Sequence, residues 1–350
     1  MLALQVSLAL IVLGGTASVL VPRLASAHKA PPPQTLPSKV SPTETGASEA
    51  GPSGTAASGA ASGAARAQGD CITVPHACGF PDGTDTGVAS GTALRSVPAQ
   101  VSSGPGWHFD AQHGDVVVTG SGTVLSDLFI PHTVEIDASD VTVRNVRIVT
   151  GGYFGISLRN TTGVTIEDST ISGRNLTSGR VGSAIDDVHG DSTGIVIKDN
   201  NISRFKTGVQ ISTGLIVGNY IHDPGYIHGD HTNGIFVYGT TEPLTIYGNT
   251  VLINLGQTDA ISLDASRSWQ YVANKTIKNN FLAGGSYTIY GGSARNARTS
   301  NILIEDNEFG RLYYPKSGRY GPVTYFDLGQ AGNVWSQNVW SGTGAAAVAG

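Results

Sequence analysis

One short pattern recurs along the chain and constrains its fold more than any other feature. Alternating apolar and polar residues lead into an asparagine, and another apolar residue follows two positions later. Six consecutive copies, spaced by about 20 to 30 residues, carry their asparagines at Asn200, Asn219, Asn249, Asn280, Asn307 and Asn338. A fixed local motif with variable spacing is typical of a solenoid, in which the strands stay constant while the loops vary in length.

The polarity within each copy alternates with a period of two, which predicts a β-strand with one buried face. A second short strand is predicted in each interval, at residues 155–158, 183–186, 208–211, 233–237, 259–263 and 287–291. Two or three strands per repeat, all running the same way, predict an all-β parallel β-helix of about nine coils. We interpret the asparagine column as a structural ladder of stacked amides in tight, left-handed bends, rather than as a polar binding ridge.

Composition agrees with this architecture and narrows the classes of partner. The chain has 47 glycines among 350 residues and only 13% charged residues, against a usual charged share of about 25%. Such a balance favours a turn-dense β-protein over a helical one. Because the net charge is -5 and no basic stripe is present, nucleic acid is excluded as an expected partner.

The chain is predicted to have three parts. Residues 1–27 contain an apolar run from Leu2 to Val21, followed by the small residues Ala25-Ser26-Ala27. This pattern predicts a signal peptide, with an uncleaved membrane anchor as the alternative. Residues 28–70 are rich in Ala, Ser, Gly and Pro and are predicted to be a disordered linker. Residues 71–350 form the β-helix domain. We therefore expect a secreted, extracellular monomer, with attachment to a cell surface as a further alternative.

The two cysteines of the chain, Cys71 and Cys78, stand where ordered sequence is predicted to begin. In an exported protein such a pair predicts a short-loop disulfide. A zinc site would require further ligands, and His76 alone does not supply them.

The coil pattern, the asparagine column and the aromatic ending NVWSQNVW resemble the secreted right-handed parallel β-helix repeat proteins of the pectate-lyase-like superfamily, particularly those of actinobacterial type. The resemblance covers residues 71–350 and implies the fold. It leaves the activity open, since that superfamily contains lyases, hydrolases, epimerases and adhesins.

Loop lengths indicate where a groove should lie. The connection between Ile202 and Thr207 is short, whereas the connections after Ile171 and Ile221 are long. We expect a trough between the long loops, with Arg204, Lys206 and Gln210 on its floor. The polar segments AIDDVHGD and IHDPGYIHGDHTNG would supply its walls.

The chemistry predicted for this trough is β-elimination on an extracellular, uronic-acid-containing polysaccharide. That reaction needs a cation beside the uronate carboxylate, a base for the C5 proton and an acid for the leaving oxygen. The predicted catalytic residues are His231, Lys206, Arg204, Asp230 and Asp186. The predicted substrate-binding residues are Gln210, Tyr226, His228, Asn233, Asp259 and Ser262, with Asp259 aligned to Asn233, and Ser262 aligned to Gln210 and Asp186.

Several alternatives remain open at the level of sequence. Asp230, Asp259 and Asp186 could hold Ca²⁺, which prefers carboxylate oxygens. A hydrolase would need two carboxyl groups across the scissile bond, and Asp186-Asp187 faintly resembles the double aspartate of polygalacturonases, without that family's other signatures. An epimerase or a non-catalytic glycan-binding or adhesion protein are the remaining alternatives.

Tyrosines of the last coils could stack on sugars or cover the end of the solenoid, which Trp335 and Trp340 are predicted to cap.

Overall fold

The computed structural model describes residues 70–174, 181–265, 271–294 and 297–349. The predicted signal peptide and almost all of the predicted linker lie outside these ranges. Within them, the helices are α1 (Asp70–Thr73) and the 3₁₀ turn Pro75–Cys78. No helix of the described ranges is long and apolar enough to cross a membrane.

The described ranges also contain thirty short strands. The first fifteen are β1 (Arg95–Ser96), β2 (Ser103–Gly104), β3 (Trp107–Asp110), β4 (Asp115–Val118), β5 (Val124–Ser126), β6 (Leu128–Ile130), β7 (Val134–Ile136), β8 (Thr142–Arg144), β9 (Arg147–Thr150), β10 (Phe154–Leu158), β11 (Thr165–Glu167), β12 (Thr170–Gly173), β13 (Ser183–Asp187), β14 (Val196–Lys198) and β15 (Asn201–Ser203). The remaining fifteen are β16 (Thr207–Gln210), β17 (Gly214–Val217), β18 (Tyr220–His222), β19 (Asn233–Tyr238), β20 (Leu244–Tyr247), β21 (Thr250–Ile253), β22 (Asp259–Asp264), β23 (Tyr271–Lys278), β24 (Phe281–Gly284), β25 (Tyr287–Gly291), β26 (Arg298–Glu305), β27 (Glu308–Phe309), β28 (Gly321–Thr324), β29 (Val334–Ser336) and β30 (Val339–Trp340).

These strands form three sheets, and the chain visits the sheets in rotation. Sheet A has ten strands (β1, β6, β9 and every third strand to β30), sheet B has eleven (β2, β3, β4, β7 and every third strand to β28), and sheet C has nine (β5, β8 and every third strand to β29). From β5 to β28 the chain therefore completes eight coils of three strands each. The predicted all-β parallel β-helix is confirmed, with slightly fewer complete coils than the nine expected.

Apolar side chains at every second position of the strands fill the interior of the coils. In sheet B the inward column contains Ile156, Ile185, Val209, Ile235 and Ile261, which are paired in register and fully buried. Each buried side chain of this size contributes about 1.5 to 3 kcal/mol of transfer free energy. The core is thus a stack of aliphatic layers, and the residues between them point outward.

The asparagine ladder is confirmed as a structural element at the bend between sheets C and A. From Asn219 onward, Oδ1 of each asparagine accepts the backbone N–H of the asparagine one coil earlier, as between Asn249 and Asn219 (2.9 Å) or Asn280 and Asn249 (2.9 Å), whereas Asn200 Oδ1 accepts the Ser169 N–H at 3.0 Å. The amide groups also bond to each other from coil to coil. One detail differs from the prediction: the left-handed backbone belongs to the residue before each ladder asparagine, as at Asp199 (φ 52°) and Asn279 (φ 56°).

An N-terminal segment, here called the strap (residues 70–94), runs along the outer face of sheet A. Its first residues pack on late coils, where Phe80 stacks on Phe281 with ring centroids 5.2 Å apart. Farther on, the Val88 N–H donates to Thr170 Oγ1 at 3.0 Å, and the following strand β1 pairs with β6. The strap therefore runs from late coils back to early ones. The predicted disulfide Cys71–Cys78 is confirmed and lies at its start.

Candidate functional site

Two sets of aligned residues cross sheet B: one lies on its outward face, and the other, Asn233 and Asp259, lies on the same side of the strands as the buried Ile235 and Ile261. Strand register aligns Asn233 with Asp259, and it aligns Gln210 with Asp186 on one side and, through Phe236, with Ser262 on the other. The alignments predicted from the sequence are confirmed. They follow from the fixed position of each strand within its repeat. Because the side-chain period is two, Asn233 faces opposite to Phe236, and it is the row containing Gln210 that lies on the outward face.

A cleft of about 210 Å³ opens on this face around Asp186, and we call it the Asp186 cleft. Side chains from four neighbouring coils meet in it. They include Tyr153, Ser183, Asp186, Lys206, Gln210 and Tyr238. The predicted short connection is present, since only residues 204–206 join β15 to β16, whereas residues 223–232 join β18 to β19. This short connection brings Lys206 to the edge of the cleft.

Asp186 is the acidic group that lines the cleft. Its side chain is almost completely buried, and burial, helped by the charge of Asp187, raises its pKa to about 6. Gln210 Nε2 donates to Asp186 Oδ1 at 3.2 Å and to the Tyr238 hydroxyl oxygen at 2.7 Å. A carboxyl group with this pKa exchanges its proton near neutral pH, as a general base or acid must.

Asp187, the adjacent residue, does not point into the same space. It pairs with Leu158 in the register, and its carboxylate accepts the backbone N–H of Ser192 at 3.3 Å. Burial is also the main cause of the raised pKa of Asp187. The two aspartates therefore do not flank one bound sugar, and the two-carboxyl arrangement of a hydrolase is not formed by this pair.

Arg204 lies outside the predicted trough floor. Its backbone is left-handed, with φ 65°, and its side chain lies near His222 rather than in the Asp186 cleft. Burial lowers the pKa of His222, and the positive charge of Arg204 lowers it further, against the raising effect of Asp223. The backbone reversal at Arg204 is what separates it from Lys206, two residues later.

The polar loop at residues 223–232 does not line the cleft either. Tyr226, His228 and His231 are exposed. Asp230 is buried and its Oδ2 accepts the Ile227 N–H at 3.1 Å, so it closes a turn of the loop. The structure thus brings Asp186, Lys206 and Gln210 together and leaves the predicted loop residues apart from them.

Asp259 has a different environment from Asp186, although both belong to sheet B. Its carboxyl group is completely buried, and Asn233 Nδ2 donates to both of its oxygens at 2.9 Å. Burial raises the pKa of Asp259 well above its usual range, against hydrogen bonds from Asn233 and Ser262 that lower it. These three residues form a closed polar cluster beneath the surface rather than an open substrate site.

The Ca²⁺ site considered from the sequence does not fit this geometry. Asp186 lines the cleft, Asp230 closes a loop turn and Asp259 bonds to Asn233, so their carboxylates do not converge on one ion. Within the described part of the chain, potential metal ligands that lie within 4.8 Å of one another occur in the strap, at His76, Asp82 and Asp85. That group is stabilised internally, with Asp85 Oδ1 accepting the Asp82 N–H at 2.7 Å.

Sequence reasoning missed two aromatic residues of the cleft. Tyr238 lies two positions after Phe236 on β19, so period-two alternation alone places both on the outward face. Tyr153 precedes β10, and its exposed ring lies at the cleft rim. Nothing in the repeat pattern marks Tyr153, because it belongs to a loop.

The predicted aromatic cap is confirmed at the C-terminal end of the solenoid. Trp335 stacks on Phe309 with ring centroids 5.6 Å apart, and Trp340 meets the same ring edge-on at 6.2 Å. Tyr313 packs in a separate small core beneath the strap, against Phe281 and its neighbours. It is therefore not part of the sheet B surface.

Comparison with known proteins supports the fold and adds no activity. A family model described as a right handed beta helix region matches residues 111–251. No curated protein and no solved structure matches the chain. The matched region contains β10, β13, β16 and β19, the strands that carry the Asp186 cleft. The chain is thus a parallel β-helix repeat protein, similar over residues 111–251 to right-handed β-helix regions, with a fold compatible with binding or modifying polysaccharides.

Proposed function

We propose that the protein binds an acidic, uronic-acid-containing polysaccharide on the outward face of sheet B and cleaves it by β-elimination in the Asp186 cleft. One observation carries the proposal: a buried carboxyl group with a pKa of about 6 shares a cleft with a lysine. The resemblance to the pectate-lyase-like superfamily is compatible with this reaction, which is one of several that the superfamily contains.

The cleft residues can divide the chemistry among them. The Lys206 ammonium neutralises the uronate carboxylate and makes the C5 proton more acidic. The Asp186 carboxylate takes that proton, and the electron pair forms the C4–C5 double bond as the C4–O bond to the departing sugar breaks. Burial raises the pKa of Tyr238, so its hydroxyl keeps its proton and can donate it to the leaving oxygen.

A non-catalytic glycan-binding protein is the second candidate function. It is favoured by the strong burial of Asp186 and its bond to Gln210, which are equally suited to fixing one sugar in place. An epimerase would use the same base and cation, but it would return a proton to C5 instead of expelling the leaving group.

Ultraviolet absorbance of unsaturated uronides distinguishes these functions. Polygalacturonate, alginate and hyaluronate are incubated with the protein, with and without a chelator, and absorbance is followed with time. Asp186→Asn and Lys206→Met are expected to lower the rate at least a hundredfold, whereas the exposed Asp191→Asn and Lys198→Met retain it. Binding without any rise in absorbance would select the non-catalytic function, and proton exchange without cleavage would select the epimerase.

We also propose that the protein works outside the cytoplasm. The Cys71–Cys78 disulfide supports this location, since structural disulfides persist in oxidising compartments. Expression of the whole gene, followed by detection of the protein in the medium, the cell wall and the cytoplasm, tests the proposal. Retention in the cytoplasm with reduced cysteines would contradict it.

A further inference from the structure

Four tyrosines gather at the C-terminal end of sheet B, and we call them the tyrosine platform: Tyr287, Tyr290, Tyr320 and Tyr325. Their ring centroids are 6.0 Å apart between Tyr287 and Tyr290, 5.8 Å between Tyr287 and Tyr320 and 5.8 Å between Tyr290 and Tyr325. The outer two rings remain in solvent, with Tyr320 55% and Tyr325 50% exposed. Aromatic residues that cap a core are at least partly buried against it, as Trp335 and Trp340 are, whereas Tyr320 and Tyr325 are exposed.

A hollow of about 460 Å³ lies beside the platform, and Lys316 is the charged residue in its lining. It is lined by Tyr287, Tyr320, Tyr325 and Lys316, among others. The Arg319 guanidinium lies 5.5 Å from the centre of the Tyr320 ring. Aromatic faces match the apolar C–H face of a sugar ring, and the two cations would attract a carboxylate on that ring. The chemistry of the hollow therefore fits an acidic sugar unit.

The platform and the Asp186 cleft share one surface. Tyr290 belongs to the same outward row as Asp186, through the aligned residues Gln210, Phe236 and Ser262. Four strand steps separate β13 from β25, which corresponds to about 19 Å along the solenoid at about 4.8 Å per step. A polymer of several sugar units can span this distance without leaving sheet B.

We infer that the tyrosine platform is a second sugar-binding site, which holds a distant part of the same acidic polysaccharide chain that enters the Asp186 cleft. The inference rests on the proposed function, and it makes the affinity depend on the length of the polysaccharide. Stacking at the platform contributes to the affinity of polymers that reach it, while short fragments confined to the cleft do not use it.

The test compares a polymer with its own trisaccharide, using whichever of polygalacturonate, alginate or hyaluronate the unaltered protein binds in calorimetry. In the double variant Tyr320→Ala, Tyr325→Ala, the Kd for the polymer is expected to rise about tenfold, while the Kd for the trisaccharide stays the same. Tyr320→Phe, Tyr325→Phe keeps both rings and should retain polymer affinity. Tyr247→Ala removes a similarly exposed tyrosine from sheet C and serves as the matched control.

The outcomes separate this inference from the proposed function. If the unaltered protein binds none of the three polymers, both are overturned. If it binds a polymer and the double alanine variant binds that polymer equally well, the platform is overturned and the proposed function stands. An equal loss for polymer and trisaccharide, or an equal loss in Tyr247→Ala, would also overturn the platform.

Discussion

At the scale of single residues, the chemistry of the protein depends on the direction in which each side chain points. Asp186 and Asp187 are adjacent, yet one faces the cleft and the other bonds to the Ser192 amide. The sequence identifies both aspartates as candidates, and the side-chain period of two in β13 explains why they face opposite ways. It does not reveal the burial that gives Asp186 a pKa of about 6, since burial depends on Tyr153, Tyr238 and other residues from different coils.

Asp186→Asn is expected to stabilise the fold at neutral pH. The pKa of Asp186 rises from 3.8 to about 6 on folding, so its contribution to stability is retained at low pH and lost as the pH rises from about 4 to about 6. The asparagine side chain does not ionise, so the variant does not lose this stability as the pH rises. Its free energy of unfolding at pH 7, relative to pH 4, should exceed that of the unaltered protein by about 2 kcal/mol.

Urea unfolding at the two pH values measures this difference, with Asp191→Asn as the control. If Asp186 is the base of an eliminase, the rate of the unaltered protein also rises as the pH passes about 6. If the stability of Asp186→Asn and that of the unaltered protein depend on pH in the same way, the claim that burial raises the pKa of Asp186 is contradicted.

Lys275 is expected to give the opposite pH dependence of stability. This fully buried lysine donates to the Ser212 carbonyl and to Thr240 Oγ1, both at 3.1 Å, and burial lowers its pKa from 10.5 to about 8. Because the folded state disfavours the charged form, stability should increase as the pH rises from about 8 to about 10, by about 1 to 3 kcal/mol.

Chemical denaturation at pH 8 and pH 10, followed by circular dichroism, compares the unaltered protein with Lys275→Met. Tyrosine ionisation acts on both proteins and cancels in their difference. A methionine variant with the same increase between the two pH values would show that Lys275 is not the titrating group.

At the scale of elements, the repeat motif was the most informative part of the sequence. It predicted the strand alternation, the asparagine ladder and the alignment of Asp259 with Asn233, because each of these follows from periodicity and register. It could not predict the left-handed residue before each ladder asparagine, which can be Asp199, Gly218 or Gln337 and thus shares no single chemistry. It also misplaced Arg204 on the trough floor, because a backbone reversal within a three-residue connection has no sequence period.

Removing one member of the ladder should be costly. Asn249 accepts the Asn219 N–H and donates to the Ile216 carbonyl at 3.0 Å, so Asn249→Ala leaves several buried polar groups without partners. At about 1 to 3 kcal/mol for each such group, we expect the free energy of unfolding to fall by about 3 kcal/mol or more. Asn254→Ala, at an exposed position nearby, should change it by less than about 0.5 kcal/mol.

Urea unfolding of these two variants, read from far-ultraviolet circular dichroism, checks the expectation. Similar losses in both would mean that the ladder bonds contribute no more than a surface asparagine does.

At the scale of the whole molecule, the strap connects coils that are distant along the solenoid. In a repeat protein each coil otherwise contacts only its neighbours. The strap places Phe80 on Phe281 and Val88 on Thr170, so it spans coils from β24 back to β12. The sequence predicted the disulfide at its start but not its path, which depends on contacts between residues more than 80 positions apart.

Removing the disulfide should loosen the strap while leaving the coils intact. Cys71→Ser, Cys78→Ser opens the loop that fixes Cys71, Ile72 and Cys78 against Leu252 and Phe281. We expect amide hydrogen exchange across residues 70–88 to accelerate at least tenfold, with unchanged rates in the ladder strands. Exchange measured by mass spectrometry would contradict this if the strap kept its protection, or if the whole solenoid lost protection together.

The path of the strap also sets an order of events during synthesis. Within the β-helix domain, a ribosome releases residues 71–80 first, but their partners at Leu252, Phe281 and Tyr313 are among the last to emerge. The earliest part of the domain must therefore wait, unpacked, until nearly every coil has been translated. Docking of the strap therefore has to follow the synthesis of β24, and a chain truncated before Phe281 would lack the surface on which the strap packs.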